Sequence, residues 1–310
     1  MSSSDEEIVA SVRQLSGVTS DVGPDDAHIL AGVRGFAAAF NFWYIRVMRG
    51  AVPKYRNVVV ARINPFIRRV EFDGLSAAEC SQRLVEDYNR RNFVTAGGWA
   101  LEELAISASP EAQKSTAEGV DAQRFDPASS EYHLYVLKSG LVTRNSDIIK
   151  QIKRSGRQAE KLLKQGRSTG NVHLNYAILA GKTSSSFEDG VRRPSSAEFW
   201  GEMFNLQQED ALELALAIAA EAGRLVSRDA SKHVQAMECL VTKYVESESS
   251  DGEMDWEYVA RRNMQSRESW RAEDTRRHQR AMNALMATGY VLGAPDSDDD
   301  QETDEQGDVS

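Results

Sequence analysis

Two kinds of hydrophobic spacing divide the chain. Near both ends, apolar residues recur three or four positions apart, which is typical of helices, whereas the middle carries short apolar runs typical of buried strands. The predicted strands lie at residues 119–125, 131–138 and 172–179. A helical segment separates the last two strands, so the middle of the chain is predicted to run strand, strand, helix, strand. This order favours an α/β fold with a small mixed sheet.

Helices are expected on both sides of this middle part. Their spacing predicts helices over residues 8–15, 24–49, 76–92 and 95–106, and a wholly helical chain after Trp200. Ser76 followed by Glu79 is a capping-box pattern that marks a helix start. Residues 56–62, which contain the run NVVVA, are predicted to form a strand, and residues 183–196 a polar loop.

The predicted strand at residues 131–138 ends in an unexpected residue. Tyr132, Leu134, Val136 and Lys138 share one face, and the residues between them are also largely apolar, so the strand should be buried on both sides. A buried ammonium group without a partner is costly. Asp121, on the preceding strand, is the nearest acidic partner if the two strands form a hairpin. The alternative is that the lysine simply reaches solvent.

An aspartate and a lysine on adjacent strands form the metal-binding centre of one large nuclease class. Cleavage of a phosphodiester bond requires a divalent cation held by oxygen ligands, commonly more than one carboxylate. The second acid of such sites lies two residues before the lysine, where this chain has Val136. The best substitute lies in the helix at residues 95–106, in which Glu102 or Glu103, but only one of them, can face the core. The alternative is that both are ordinary exposed carboxylates.

A resemblance to a known family rests on five motifs. They are NPF at residues 64–66, GWALEELA, KST-x-x-GVDAQ, YVLKSG-x-x-x-x-NS and a later EFWGEMF. In this order they resemble the PmeII-type family of type II restriction endonucleases, of the PD-(D/E)XK nuclease superfamily, over roughly residues 60–205. The chain departs from the family pattern at Leu141, where proline is usual after Lys-Ser-Gly.

The resemblance implies a Mg²⁺-dependent enzyme that hydrolyses double-stranded DNA at specific sequences. It implies a PD-(D/E)XK-like restriction endonuclease core, a small mixed sheet flanked by helices, with helical N- and C-terminal additions. It assigns catalysis to Glu102, Asp121 and Lys138, with Glu102 and Asp121 as the metal ligands. Related nucleases carry the acid that Val136 replaces on the preceding helix. A non-catalytic DNA-binding or regulatory protein on a decayed nuclease core is the alternative, and Val136 is the residue that favours it.

Basic residues are concentrated directly after the Lys-Ser-Gly motif. A helix with this charge, starting beside the catalytic strand, would lie along a phosphate backbone and supply affinity independent of sequence. An ordinary solvated helix face is the alternative. The residues predicted to contact DNA are Ser139, Arg144, Asn145, Ser146, Lys150, Lys153, Arg154 and Arg157.

The net charge of −10 is unusual for a DNA-binding protein, but most of it lies at one end of the chain. Residues 296–310 carry eight carboxylates and no base, and removing them leaves a net charge near −2. Because this tail has almost no apolar content to bury, it is predicted to be disordered.

Other chemistries find no support in the sequence. There is no glycine-rich phosphate loop, no nucleophilic-serine elbow and no histidine cluster with metal-ligand spacing. Cys80 and Cys239 lie far apart and are expected to be buried apolar residues rather than a disulfide. No signal peptide and no long uncharged apolar run occur, which predicts a cytoplasmic protein without a membrane segment.

These observations predict four regions along the chain. They are an N-terminal helical region at 1–60, a nuclease core at 61–205, a C-terminal helical region at 206–290 and an acidic tail at 291–310. A restriction enzyme that cuts palindromic DNA is expected to be a homodimer, since two-fold protein symmetry matches two-fold DNA. Phage defence beside a cognate DNA methyltransferase is the expected role.

Overall fold

The fold is described from a computed structural model. The structure describes residues 5–60, 63–140, 146–165, 170–250, 252–264 and 272–291. The predicted acidic tail, Leu141, Arg144 and Asn145 lie outside these residues. The chain divides into two compact units, each made of two stretches of sequence: Met1–Trp43 with Phe93–Arg228, and Tyr44–Asn92 with Asp229–Ser310. The predicted four contiguous regions stay a prediction.

A mixed sheet of six strands forms the centre of the first unit, as the described residues show it. The strand order in the sheet is β1-β2-β3-β4-β6-β5. β2 pairs with β1 and β3 antiparallel, β4 lies parallel between β3 and β6, and β5 pairs antiparallel with β6. The strands are β1 Ala112–Lys114, β2 Ala122–Asp126, β3 Glu131–Lys138, β4 Val172–Ile178, β5 Ser186–Glu188 and β6 Val191–Arg193. This mixed sheet is the predicted α/β architecture.

Helices cover both faces of this sheet because β3 and β4 are apolar on both sides. On one face, Ile149 and Ile152 of helix α7 pack in a cluster that includes Tyr176 and Val136. On the other face, the ring of Tyr135 meets Phe199 edge to face, with centroids 5.6 Å apart. The crossover from β3 through α7 to β4 confirms the predicted strand-helix-strand order.

The helices of the first unit are α1 Asp5–Ser16, α2 Asp26–Phe40, α7 Ser146–Gln165, α8 Ser196–Phe204, and parts of α6 Ala77–Ser107 and α9 Gln208–Ser247. A π-helix follows α2 at Asn41–Ile45. A capping box starts α8, in which Ser195 and Glu198 bond each other's backbone. Such caps satisfy the amide groups that a helix start leaves without intrahelical partners.

Where the structure describes it, the second unit is helical apart from one very short hairpin. Its helices include α3 Arg46–Ala51, a 3-10 turn at Val52–Lys54, α4 Arg56–Val60, α5 Pro65–Glu71, α10 Trp256–Met264 and α11 Ala272–Ala287. The hairpin joins β7 Ser249–Ser250 to β8 Glu253–Met254. No helix within the described ranges is long and apolar enough to cross a membrane.

Several predictions of local structure were wrong. The described part of the predicted strand at 56–62 forms α4, Arg56–Val60, because Val58, Val59 and Val60 are buried in a helix packed against α10, and packing overrides β propensity. Residues 61–62 lie outside the described residues. The expected polar loop at 183–196 contains the β5–β6 hairpin. The chain after Trp200 is not wholly helical, since β7 and β8 interrupt it. Cys239 is exposed, whereas Cys80 is buried as expected.

The glycine-led helix predicted at 95–106 is also not separate. It is the last part of α6, a single helix of 31 residues that begins at the predicted Ser76–Glu79 capping box. Gly97 and Gly98 lie inside this helix rather than at its start. Glycine disfavours a helix interior by about 0.5–1 kcal/mol relative to alanine, which makes the pair a misleading boundary signal.

Candidate active site

Three neighbouring strands place polar side chains at one end of the sheet. Because β1, β2 and β3 are antiparallel, β1 ends where β2 begins and where β3 ends. Lys114 is the last residue of β1, Asp121 directly precedes β2, and Lys138 is the last residue of β3. The predicted hairpin therefore brings Asp121 and Lys138 to the same end of the sheet, although Asp121 lies just outside the strand in which it was expected.

Backbone hydrogen bonds hold Asp121 against β3. Its amide donates to the Tyr135 carbonyl at 2.9 Å, and its carboxylate Oδ2 accepts from the Leu137 amide at 2.6 Å. In the described part of the chain no hydrogen bond engages Oδ1. One carboxylate oxygen is thus fixed by the sheet, and the other can accept a ligand.

A tight turn before Asp121 fixes where the chain enters the site. Gly119 has a φ of 75°, and the Val120 amide donates to the Ala117 carbonyl at 3.2 Å. A Cβ atom on Gly119 would lie 3.1 Å from the Cβ of Ser155 on α7 and still closer to its hydroxyl. Glycine meets both demands here, because it adopts positive φ readily and allows close approach.

Helix α6 directs its two adjacent carboxylates to different neighbours. The Glu103 carboxylate accepts from the Ser107 hydroxyl at 3.2 Å, and its Cγ lies 3.3 Å from where a Cβ on Gly35 of α2 would stand. Glu102, by contrast, interacts with the charges at the end of the sheet. The sequence showed that only one of the pair can face the core but did not decide between them.

The pKa of Glu102 indicates which charged side chains lie near its carboxylate. Burial raises the pKa of this carboxyl to about 7, and the negative charge of Asp121 contributes to the rise. The positive charges of Lys114 and Lys138 act in the opposite direction. Coulomb interactions of this kind require the groups to be near one another. Glu102, Asp121 and Lys138, which the sequence selected from three separate elements, therefore belong to one charged neighbourhood.

Lys114 is a charged neighbour of Glu102 that the sequence pattern did not indicate. It is exposed, and its backbone neighbour Ser115 donates an amide hydrogen bond to the Asp121 carbonyl at 3.2 Å. Lys114 lowers the Glu102 pKa more than Lys138 does. β1 is only three residues long and lacks a clear alternating pattern, so hydrophobic spacing does not predict this strand. The sequence signal nearest to it is the KST motif, which begins at Lys114.

The residues present fit a hard divalent cation. Mg²⁺ is commonly bound by one or two carboxylates, with water and substrate phosphate completing the shell. Glu102 and Asp121 supply two carboxylates. Within the described ranges, His, Cys, Asp and Glu side chains form no group of three or more that could hold a metal by itself. Val136 cannot contribute a ligand, because it packs against the Ile149–Ile152 cluster.

The basic side chains predicted to contact DNA lie on a solvent-facing stripe of α7. Lys150, Lys153, Arg154 and Arg157 line one concave surface together with Gln158 and Lys161. Lys153 is also 3.4 Å from Asp189 in the β5–β6 hairpin. Ser139 is exposed at the end of β3. Of the other predicted contacts, Arg144, Asn145 and the Ser146 side chain lie outside the described residues.

The histidines of the sheet lie elsewhere. His133 and His173 stack with ring centroids 5.2 Å apart, and His173 Nε2 is 3.2 Å from the Glu131 carboxylate. His133 is on the face of β3 opposite Lys138, and burial lowers its pKa. His133 is partly buried and His173 is exposed, and both lie away from the end of the sheet that carries Asp121 and Lys138.

Comparison with known families gives one match. The model of the family described as Type II restriction endonuclease EcoO109I matches residues 42–222, which is more than half of the chain and includes the whole sheet with Glu102, Asp121 and Lys138. No curated protein matches the chain significantly.

Proposed function

The chain belongs to the family of type II restriction endonuclease EcoO109I, and from that premise we propose that it is a Mg²⁺-dependent endonuclease that cuts double-stranded DNA at specific sequences. Membership supports a nuclease of the restriction-endonuclease kind acting on DNA. The metal, the site specificity, the PD-(D/E)XK assignment and the PmeII-type grouping are the finer parts of the proposal. The observation that carries it is the pairing of β2 with β3, which brings Asp121 and Lys138 to one end of the sheet within the matched part of the chain.

In the proposed mechanism, Glu102 and Asp121 hold the cation. The bound cation would polarise the scissile phosphate and lower the pKa of an attacking water. Asp121 presents Oδ1 while the Leu137 amide holds Oδ2, so the position of this ligand is set before substrate arrives. Glu102 must be ionised to serve as a ligand, and the two lysines favour its ionised form. A cation would do so further, because opposite charge lowers the pKa of a carboxyl.

The two lysines have separate proposed tasks. Lys138, at the end of β3, orients the attacking water or neutralises the scissile phosphate. Lys114, on β1, neutralises charge that develops on the non-bridging oxygens. Preorganised positive groups of this kind stabilise a transition state without reorganising at the moment of reaction. Ser139 and the basic stripe of α7 would hold the phosphate backbone beside them.

Plasmid cleavage with purified protein and Mg²⁺ tests the proposal. The wild type is expected to produce discrete fragments. The cleavage rates of Glu102→Gln, Asp121→Asn and Lys138→Ala are each expected to be at least a hundredfold lower than that of the wild type. Two matched controls are available. Glu103→Gln changes the carboxylate next to Glu102 that faces α2, and Asp126→Asn changes a carboxylate at the far end of β2 that bonds the Ala128 amide. Both controls should cleave normally.

A non-catalytic DNA-binding protein is the second candidate, because Val136 stands where an acid is usual. On that alternative the folded wild type would bind DNA and would not cleave it with Mg²⁺ or Mn²⁺. Equal cleavage by wild type and all three site variants would show instead that the activity comes from a contaminant and that these residues do not form the site.

The proposal extends to the setting in which the enzyme works. We propose a cytoplasmic homodimer that acts in phage defence and is paired with a DNA methyltransferase that protects the same sequence. Sedimentation at micromolar concentration should give twice the chain mass of 34.4 kDa. The pairing with a methyltransferase would be supported if the enzyme does not cleave host genomic DNA but cleaves the same DNA after amplification without methylation.

A further inference from the structure

Helix α6 and the end of β3 approach each other more closely than side chains normally permit. A Cβ atom on Gly98 would lie 2.7 Å from the Ser139 hydroxyl oxygen and 2.9 Å from the Ser139 Cβ. Real Cβ atoms essentially never stand within 3.0 Å of another heavy atom in this way. Rotating the Ser139 side chain would move its hydroxyl but not its Cβ, which is fixed to the backbone. Only a shift of the helix or of the strand end would make room.

The neighbouring glycine provides the contrast. A Cβ atom on Gly97 would meet nothing within 4 Å. Both glycines lie inside the same helix and weaken it by similar amounts relative to alanine. Only at Gly98 does the surrounding structure require the absence of a side chain.

The close contact lies directly beside the proposed active site. Gly98 and Glu102 are four residues apart on α6 and therefore share a face of the helix. Ser139 follows Lys138, whose carbonyl accepts from the Leu179 amide at 2.8 Å, so the strand end is tied to the sheet. The distance between α6 and this strand end consequently sets the distance between the Glu102 carboxylate and both Lys138 and Asp121.

We propose that Gly98 is a positioning residue: its lack of a side chain lets α6 dock on Ser139 and thereby brings Glu102 to the metal-binding end of the sheet. The proposal rests on the proposed nuclease function. Gly98 itself touches no reacting atom. It acts through Glu102, which is the only proposed carboxylate ligand that does not come from the hairpin.

The test compares Gly98→Ala with Gly97→Ala. We expect Gly98→Ala to lower kcat for Mg²⁺-dependent plasmid cleavage by about tenfold to hundredfold, since misplacement by about 1 Å has that effect on reacting groups. DNA affinity without metal should fall far less than kcat, because the basic side chains of α7, which carry the positive charge of the proposed DNA surface, are untouched. Calorimetric titration with Mn²⁺ should show weaker binding to Gly98→Ala. Gly97→Ala should keep the wild-type kcat, metal affinity and DNA affinity.

Rescue separates close packing from a general helix effect. Ser139→Gly removes both atoms that a Cβ on residue 98 would meet. The loss caused by Gly98→Ala should therefore shrink at least fivefold when measured in a Ser139→Gly background, with the Ser139→Gly single variant as its reference. The same coupling should appear in the thermal unfolding of the four proteins, which needs no enzymatic activity.

Each outcome decides between the two proposals. The role of Gly98 would be overturned if the wild type is active and Gly98→Ala equals Gly97→Ala in kcat and in Mn²⁺ affinity. It would also be overturned if Ser139→Gly does not rescue Gly98→Ala. Inactive wild type that still shows coupled unfolding would uphold the contact but overturn the nuclease function and with it the catalytic role. If Gly98→Ala does not fold, the double variant Gly98→Ala/Ser139→Gly replaces it: recovery of the folded state would support the contact, and failure to recover it would overturn the proposal.

Discussion

The carboxyl of Glu102 is destabilised in its ionised form, which gives a prediction for stability at the scale of a single residue. Its pKa is raised to about 7 in the fold from an ordinary value of 4.5, first by burial and then by Asp121. Between these two values the unfolded chain has lost a proton that the folded protein still holds, so this carboxyl makes stability fall as pH rises. The loss begins near pH 4.5 and is complete above about pH 7.

Glu102→Gln should therefore stabilise the metal-free protein more at pH 8 than at pH 5. We expect a gain of about 1–2 kcal/mol at pH 8, discounted from the full shift because the side chain is partly exposed. Urea unfolding at both pH values measures it. Glu103→Gln is the matched control on the same helix. An equal effect of Glu102→Gln at the two pH values would contradict the raised pKa.

The same pKa predicts how cleavage depends on pH. Because an ionised Glu102 is needed to hold the cation, kcat/KM measured with Mg²⁺ well below saturation should rise with pH and level off above an apparent pKa near 7, the value for the metal-free enzyme. Removing the positive charge of Lys114 should raise the pKa of Glu102 and move this rise to higher pH. The control for Lys114→Met is Lys164→Met. Lys164 lies near the end of α7 and pairs with Glu160 at 2.6 Å. Identical profiles would exclude Lys114 from the site.

At the scale of elements, the packing of β3 against α7 explains why the proposed second acid lies on α6 and not on β3. Val136 lies with Ile149, Ile152 and Tyr176 in an apolar cluster. A carboxylate there would lose hydration without gaining a partner. Val136→Glu should lower the free energy of unfolding by about 1–3 kcal/mol, and more than Val136→Ala does. It should not restore cleavage to Glu102→Gln; a restored rate would show that this strand position can still supply a ligand.

The basic stripe of α7 makes a separate prediction about salt. Each phosphate contact adds a released counterion, so losing one should make the slope of log affinity against log salt shallower by about one. Arg154→Ala and Arg157→Ala should each do so, because both side chains are exposed on the stripe. Lys164→Ala, already paired within the helix, should leave the slope nearly unchanged. Fluorescence anisotropy from 50 to 200 mM salt measures it. Unchanged slopes for both arginine variants would mean that DNA binds elsewhere.

The sequence predicted those structural features that depend on neighbouring residues in the chain, and it did not predict those that depend on distant ones. The apolar run located β3 with both of its ends, and Lys138 at its end, which is exposed in the structure, pointed to the candidate site. The valine run of α4 misled because burial, not propensity, decides its conformation. The proposed roles of Gly98 and Lys114 depend on residues that are distant in sequence. Hydrophobic periodicity predicts only local structure, so it cannot indicate such contacts.

At the scale of the whole molecule, the family match and the sheet describe the same part of the chain. The match covers residues 42–222, wider than the stretch of roughly 60–205 over which motifs were recognised. All six strands of the sheet and all the described candidate site residues fall inside it. Family membership is thus shown for the sheet that carries the site, while α10 and α11 lie outside the match.

The bond from the Leu137 amide to the Asp121 carboxylate also has a spectroscopic consequence. At 2.6 Å it should shift the Leu137 amide proton resonance far downfield. A cation arriving at the opposite carboxylate oxygen would draw electron density away from that bond and move the resonance back upfield. A single backbone signal would then report occupancy of the site in a protein that is not turning over.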